Sequence, residues 1–383
     1  MNAVTNLSET VEVLKAITDL RDQGREMALA TIVTVKGSTY RRPGVRFLVP
    51  DSGATVGNLS GGCLEGEVEQ LGRQVMDEGR PRLELYDLTA DDEVIWGWGL
   101  GCNGAIEVFI EPAQRAAEVA DALRSAIEDS RGVAVVTVIE SELDGVQVGA
   151  RLLLHEDGER RGGTGRAAVD DTLAELAAES LAGGRTEALP VVLEGGRLRL
   201  FIESVSPPLR LLVCGAGHDA VPVVELAAGL GWRTVVVDDR AELLDAARFP
   251  GAKEFTRCRP EEAAAAARAD DRTYALVMSH NYLRDRDYLK SFLASEVAYI
   301  GMLGPRARLD RLLDDLAGEG IRPRNDRLAA THGPAGLDLG GEGPEEIAVA
   351  IVAEIMAVSR GRAGGFLRGR PGSIHQDFEA VQS

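Results

Sequence analysis

Apolar residues recur at helical spacing through SETVEVLKAITDLRDQG (8–24), with a serine ahead of glutamates and a closing glycine, which predicts an amphipathic opening helix. The pattern then turns extended. MALATIVTV (27–35) and VRFLV (45–49) predict strands around a polar connection, and GNLSGGCLEGEV leads into a helix reaching about Asp77. Further strands are expected at RLELYDL, AIEVFIEP, GVAVVTVIE and ARLLLHE, a helix at DDTLAELAAESLAGG, and a hairpin at EALPVVLEGGRLRLFIESV. No internal repeat is visible. SVSPPLR, with Pro207-Pro208, reads as a stiff, extended linker and so as a domain boundary.

From Leu209 the rhythm changes to short apolar strands alternating with helices: LRLLVCG, RTVVVDD, KEFTR, YALVMSH and AYIGMLG, then a long helix with Pro344 in its first turn. Continuous apolar strands between helices predict a doubly wound parallel sheet. The expected fold is α/β: a mixed α+β domain over 1–205, a Rossmann-like parallel-sheet domain over 206–362, and a loose Gly/Arg-rich tail over 363–383.

Composition narrows the functional classes. The 383 residues, 45% hydrophobic and 27% charged, suit a globular protein with two cores. No apolar run reaches the roughly 18 residues of a membrane span. The opening segment carries Glu9 and Glu12 rather than a basic start, so it does not read as a secretory signal. A net charge of −19 disfavours nucleic acid and anionic membranes as partners. The four cysteines (Cys63, Cys102, Cys214, Cys258) form no C-x-x-C pair, which points to free thiols in a reducing cytoplasm rather than disulfides or structural zinc.

The candidate chemistry begins at CGAGHDA. Gly215-x-Gly217-x-x-Ala220 after a strand permits a tight turn, close backbone approach and helix–strand packing, with the helix N-terminus facing a phosphate. Asp238 or Asp239 stands where such folds set an acid against ribose, which favours NAD over NADP. His218 and His280 fall on strand-end loops that face one crevice, and His332 ends a third such segment. In the first half, KGSTYRRPG gathers Gly37, Ser38, Thr39, Arg41 and Arg42 into a connection suited to phosphate or carboxylate. Ser60, Gly61 and Gly62 precede a helix whose first turn holds Cys63, where the helix dipole favours thiolate, and Cys102 lies in another glycine-rich loop. Two such thiols suit sulfur chemistry or a soft metal. S-x-x-K, G-x-S-x-G, H-E-x-x-H and Walker patterns are absent. These residues leave open an NAD-dependent oxidoreductase using Asp238 and His280, a holder of another phosphate-bearing cofactor, and a nucleotide-sensing module.

Taken in order, GSTYRRPGVRFLV, GNLSGGCLEGEV, GLGCNG, CGAGHDAVPVVELAAGLGWRTVVVDDR, SHNYLRDRDYL, YIGMLGPRAR and GPAGLDLGGEGPEEIAVAIVAEI resemble the XdhC/CoxI family of xanthine dehydrogenase accessory proteins. The resemblance runs from about Leu29 to Ile355, and Glu111 to Arg197 carries no signature of its own. It implies a chaperone, not a turnover enzyme, that binds the molybdenum cofactor (molybdopterin), assists its sulfuration with a cysteine desulfurase and inserts it into a xanthine dehydrogenase-type apoenzyme, acting as a homodimer. Carried onto this chain, it implies cofactor contacts from Gly37, Ser38, Thr39, Arg41, Arg42, Ser60, Gly61, Gly62, Glu65, Gly215, Gly217, His218, Asp238 and His280. Cys63 and Cys102 would lie toward the sulfur or molybdenum end. Tyr40 and Ser60 depart from the family forms PRRxG and IGGGx.

Overall fold

The computed structural model describes residues 7–38, 41–62, 64–87, 103–128 and 131–369. The chain divides into two compact units, Met1–Pro207 and Pro208–Ser383. The first unit begins with α1 (Leu7–Asp22), β1 (Met27–Ser38), β2 (Arg46–Pro50), β3 (Val56–Gly57), α2 (Glu65–Glu78), β4 (Arg82–Asp87) and β5 (Asn103–Pro112). It continues with α3 (Ala113–Glu128), β6 (Val133–Ser141), β7 (Arg151–His155), β8 (Arg160–Gly163), α4 (Ala167–Gly183), β9 (Glu187–Leu193) and β10 (Gly196–Val205). Two antiparallel sheets result, ordered β3-β2-β1-β5-β4 and β8-β7-β6-β10-β9.

Packing explains the hydrophobic pattern. On the outer face of the first sheet, Leu64, Val68 and Val75 around α2 meet Ala30, Ile32, Val49 and Val108. On the second sheet, Val169, Leu173 and Ala177 of α4 meet Val136, Leu152 and Leu200. The inner faces meet through Val33, Phe109, Ile139 and Phe201, and α1 and α3 close one side with Val13, Ile17, Val119 and Leu123. Both faces of β1 and β6 are therefore covered, so these strands read as mostly apolar runs, interrupted by threonines, rather than alternating ones. Sequence periodicity did not predict α3. Its alanine-rich segment has strong helix propensity but a narrow apolar stripe, with Ala116 and Ala120 among its described buried contacts.

The second unit comprises β11 (Arg210–Cys214), α5 (Ala220–Gly229), β12 (Arg233–Asp238), β13 (Glu254–Arg257), α6 (Ala263–Ala266) and β14 (Thr273–Val277). It then runs through α7 (Tyr282–Leu293), β15 (Tyr299–Met302), α8 (Arg306–Gly318), α9 (Asn325–Ala329), β16 (Thr331–His332) and α10 (Pro344–Ser359). Its strands are parallel, ordered β13-β12-β11-β14-β15-β16. Alternate residues serve opposite faces. Leu212, Val235 and Val237 pack on Tyr288, Phe292 and Leu312, while Leu211, Val213 and Val236 pack on Val223, Val224, Ile351 and Ile355. This is the expected Rossmann-like sheet covered by helices on both sides. Strand order reverses between β11 and β14, and the carboxyl ends there bound the crevice in which such sheets take ligands. Among the described residues no helix is long and apolar enough to cross a membrane.

Candidate functional site

At the switch point in the second unit, the chain leaves β11 through Gly215-Ala216-Gly217-His218-Asp219. The two glycines are required for different reasons. Gly215 has φ +113°, and a Cβ there would lie 2.6 Å from Ser279 Cα, so the fold itself excludes any side chain. At Gly217 a Cβ would meet only His280 Cδ2, at 3.9 Å, and the backbone is not left-handed. Neither packing nor backbone requires glycine there, and the ground above it is open to a ligand at the start of α5. His218 beside it is exposed.

Asp238 ends β12 almost fully buried, at 1% exposure. Its Oδ2 accepts from Ala216 N–H at 2.8 Å and from Arg240 Nη2 at 2.8 Å. Its Oδ1 accepts from Arg240 N–H and Nε, both at 2.9 Å. Burial opposes the charge, but these bonds outweigh it and bring the carboxyl down to about 2. Asp238, expected to face a ligand, therefore has both oxygens engaged in shaping the glycine turn. Asp239 next to it pairs with Arg284 at 3.1 Å.

Across the crevice, β14 ends in Ser279-His280-Asn281. His280 holds φ +56°, a conformation uncommon for a residue with a Cβ and concentrated at functional sites. Its Nε2 stands 3.0 Å from Asp219 Oδ2, joining the two strand-end loops. The structure thus brings Gly217, His218 and His280 to one rim, as the sequence suggested. It also adds groups that motif reading missed. Ser279 Oγ donates to Asp285 Oδ1 at 2.5 Å, and Arg308 Nη2 donates to Asp285 Oδ2 at 2.7 Å, so a buried carboxylate orients the loop from below. The D-R-D pattern of SHNYLRDRDYL was the available signal. His332, on β16, pairs with Glu354 and packs on Tyr299 at a tilt of 33°, with centroids 4.7 Å apart.

In the first unit, Gly37 and Ser38 end β1, and Arg41 forms a two-pronged pair with Glu9 at 2.9 and 3.0 Å. The turn before α2 is organised by Glu65. Its Oε1 accepts from the N–H groups of Leu59 (2.9 Å) and Ser60 (2.8 Å). Its Oε2 accepts from Ser60 Oγ (2.7 Å), Gly62 N–H (3.0 Å) and Leu64 N–H (3.1 Å). Gly61 N–H donates to Asn58 Oδ1 at 2.7 Å. Burial works against the Glu65 charge, yet the bonds from Ser60 and the loop amides hold the carboxyl below its ordinary value. The amides of these cofactor-binding candidates thus already serve the protein's own carboxylate.

Thr39, Cys63 and Cys102 lie outside the described residues. The two described thiols are poor nucleophiles: burial raises Cys214 well above its ordinary value and Cys258 to about 11. Among the described residues there is no group of three or more His, Cys, Asp or Glu that could hold a metal ion.

Comparison with known proteins follows the same division. A family model described as the XdhC Rossmann domain matches residues 211–355. One described as the XdhC and CoxI family matches residues 20–87 and 126–193, the latter in a stretch where motifs alone gave no signature. A Bacillus subtilis (strain 168) protein, named as a probable xanthine dehydrogenase subunit, is 33% identical over 338 residues, spanning 88% of this chain and 94% of that protein. Escherichia coli (strain K12) YqeB, an uncharacterized protein, is 31% identical over 176 residues, 45% of this chain and 31% of its own. A crystal structure described as a xanthine dehydrogenase from Bacillus halodurans aligns with a TM-score of 0.73 at 28% identity, covering 94% of this chain and 98% of that one.

Proposed function

Because the chain belongs to the XdhC and CoxI family, we propose that it is an accessory protein of a xanthine dehydrogenase-type molybdoenzyme. It binds the molybdenum cofactor, supports sulfuration of that cofactor by a cysteine desulfurase, and passes it to the apoenzyme. Once delivered, the cofactor supplies molybdenum redox chemistry to the client; the residues of this chain only hold, orient and release. The observation that carries the reading is the open glycine at 217. The fold does not need it, it lies at the head of α5, and His218 and His280 flank it, which suits a phosphate-bearing ligand. Within the first unit the proposal gives the sulfur step to Cys63 and Cys102, and cofactor contacts to Gly37, Ser38, Thr39, Arg41, Arg42, Ser60, Gly61 and Gly62. Burial raises the Cys214 and Cys258 thiols, which is consistent with that division.

An NAD-dependent oxidoreductase is less well supported, because it requires a carboxylate free for ribose at the end of β12. Asp238 has both oxygens engaged, and Asp239 pairs with Arg284 through Oδ2 while its Oδ1 is buried. The test is to purify the protein from a molybdenum-replete host, oxidise it and measure fluorescent pterin. Pterin retained by wild type and lost in folded Gly217→Val supports the proposal. Absence of pterin, with saturable NAD binding and substrate turnover, would overturn it.

A further inference from the structure

The first unit contains one arrangement twice. Both sheets have the central strand flanked in the same way, and the elements follow the same order, helix, three strands, helix, two strands. The opening helices α1 and α3 are each 16 residues long. The correspondence extends to single residues. Thr31 pairs in register with Arg46 and Phe109, and Thr137 pairs with Arg151 and Phe201. Each central strand carries one register shift, at Val33 in β1 and at Ile139 in β6. A bulge is a specified feature of a strand, so finding it at matching positions is independent support. Gly57 and Gly162 both have positive φ (+95° and +74°), and at each a Cβ would press on a carbonyl oxygen, that of Arg46 in one copy and Arg151 in the other. Both second helices end on a left-handed glycine, Gly79 and Gly184.

The two copies meet as the halves of a symmetric dimer do, each residue touching the counterpart of its own partner. Arg46 of the first pairs with Glu203 of the second, and Arg151 of the second pairs with Glu111 of the first. All four side chains are buried. Val33 and Phe109 face Ile139 and Phe201. Val13, Leu14 and Ile17 face Val119, Ala120 and Leu123.

The same comparison isolates the loop before the second helix. Seven residues, NLSGGCL, separate Gly57 from Glu65, and seven, GTGRAAV, separate Gly162 from Asp170. Glu65 accepts from Leu59 N–H at 2.9 Å, and Asp170 accepts from Thr164 N–H at 2.6 Å, at the matching position. Each also takes a loop hydroxyl, Ser60 Oγ and Thr164 Oγ1, both at 2.7 Å. The second segment has alanine at the position of Cys63, already within α4, and lacks the Gly61-Gly62 pair, yet keeps the carboxylate.

We infer that residues 7–205 are two tandem copies of one folding unit, and that Glu65 and Asp170 are the same positioning carboxylate in each. Glu65 then holds its loop from within, both of its oxygens already accepting from that loop. This inference is independent of the proposed function.

The experiment is hydrogen exchange by mass spectrometry on the full chain carrying Glu65→Gln, Asp170→Asn or, as a control, Glu69→Gln. Each of the first two replaces an acceptor by an amide that faces other N–H groups. Glu65→Gln is expected to speed exchange at least about tenfold across 58–65 alone, and Asp170→Asn across 163–170 alone, with the control unchanged. Acceleration in only one variant, or in neither, overturns the equivalence. A chimaera guards against loss of folding in the point variants. Replacing GTGRAAVD (163–170) by NLSGGCLE should give a cooperatively melting protein with protected amides there, and an unfolded chimaera overturns the inference.

Discussion

The buried pair Arg151–Glu111 tests how the two sheets of the first unit are held together. Arg151 Nη2 lies 2.6 Å from Glu111 Oε2, and their side chains are 3% and 2% exposed. Arg151 also donates to Thr137 Oγ1 at 3.0 Å and to the Arg115 carbonyl at 3.2 Å. In Arg151→Met the apolar stem is kept, but Glu111 is left buried without a counter-charge and Thr137 loses a donor. Breaking such a pair on one side costs about 3–5 kcal/mol. For a unit of this size, where 1 kcal/mol moves Tm by about 2–4 °C, the shift is roughly 6–20 °C. Arg151→Met with Glu111→Leu removes both charges and should recover most of that loss, since an apolar replacement of a whole buried pair is often neutral. Thermal melts and urea titrations of the two single variants and the double variant measure the coupling. A double variant no more stable than Arg151→Met would refute the charge argument and shift the cost to packing alone.

Other expectations follow from single sites. Gly215→Ala forces a side chain against Ser279 in a left-handed backbone and should cost on the order of 3 kcal/mol or prevent folding, read by Tm. Gly217→Ala should stay within about 0.5 kcal/mol of wild type while lowering pterin retention. Asp238 is held at about 2 against an ordinary 3.8, so its stabilisation is fully present above pH 4 and is lost as pH falls through 2. The difference is worth about 2–3 kcal/mol, and Asp238→Asn should flatten the urea midpoint between pH 2.5 and 5; an unchanged slope would count against the assignment. Cys258, raised to about 11, should react with iodoacetamide far more slowly than a free thiol at pH 7.5, and Cys214→Ser with Cys258→Ser should leave activation of an apo-dehydrogenase intact, whereas Cys63→Ala or Cys102→Ala should reduce it.

Much of the second unit was legible because its signals are local. β11, β12, β14 and β15 are short, largely apolar runs, the helices between them have period, and Gly215-x-Gly217 sits where strand meets helix. The repeat in the first unit was not legible, for a physical reason. The matching residues that hold the copies together, Thr31 with Thr137, Arg46 with Arg151, Phe109 with Phe201 and Glu111 with Glu203, are scattered over strands whose other positions need only be apolar. Insertions differ between copies: residues 88–102 join β4 to β5, while Glu194-Gly195 alone join β9 to β10. The offset between copies is 105–106 residues from Thr31 and Thr137 through Gly79 and Gly184 but falls to 92 at Phe109 and Phe201, so strand pairing is needed to align the last strands. Hydrogen-bond partners were equally hidden. A glycine-rich loop before a helix has the same sequence signature whether its amides await an anion or already hold one.

That ambiguity is resolved differently in the two units, and the chain's own acidity explains how. With 61 Asp and Glu residues, the protein can supply internal anions to its backbone donors. Glu65 serves the loop before α2, and Asp170 the loop before α4. Asp238 serves Ala216, and Asp285 serves Ser279. Each carboxylate fixes a turn that would otherwise carry unsatisfied N–H groups, a cost of about 1–3 kcal/mol per buried donor. Against that background, a glycine with no packing or backbone reason to be glycine is informative. Gly217 is such a residue, and the physical argument for a bound anion rests on it rather than on glycine content. If Gly217→Val folded and retained pterin as wild type does, the open ground would be incidental and the ligand would have to be sought elsewhere in the chain.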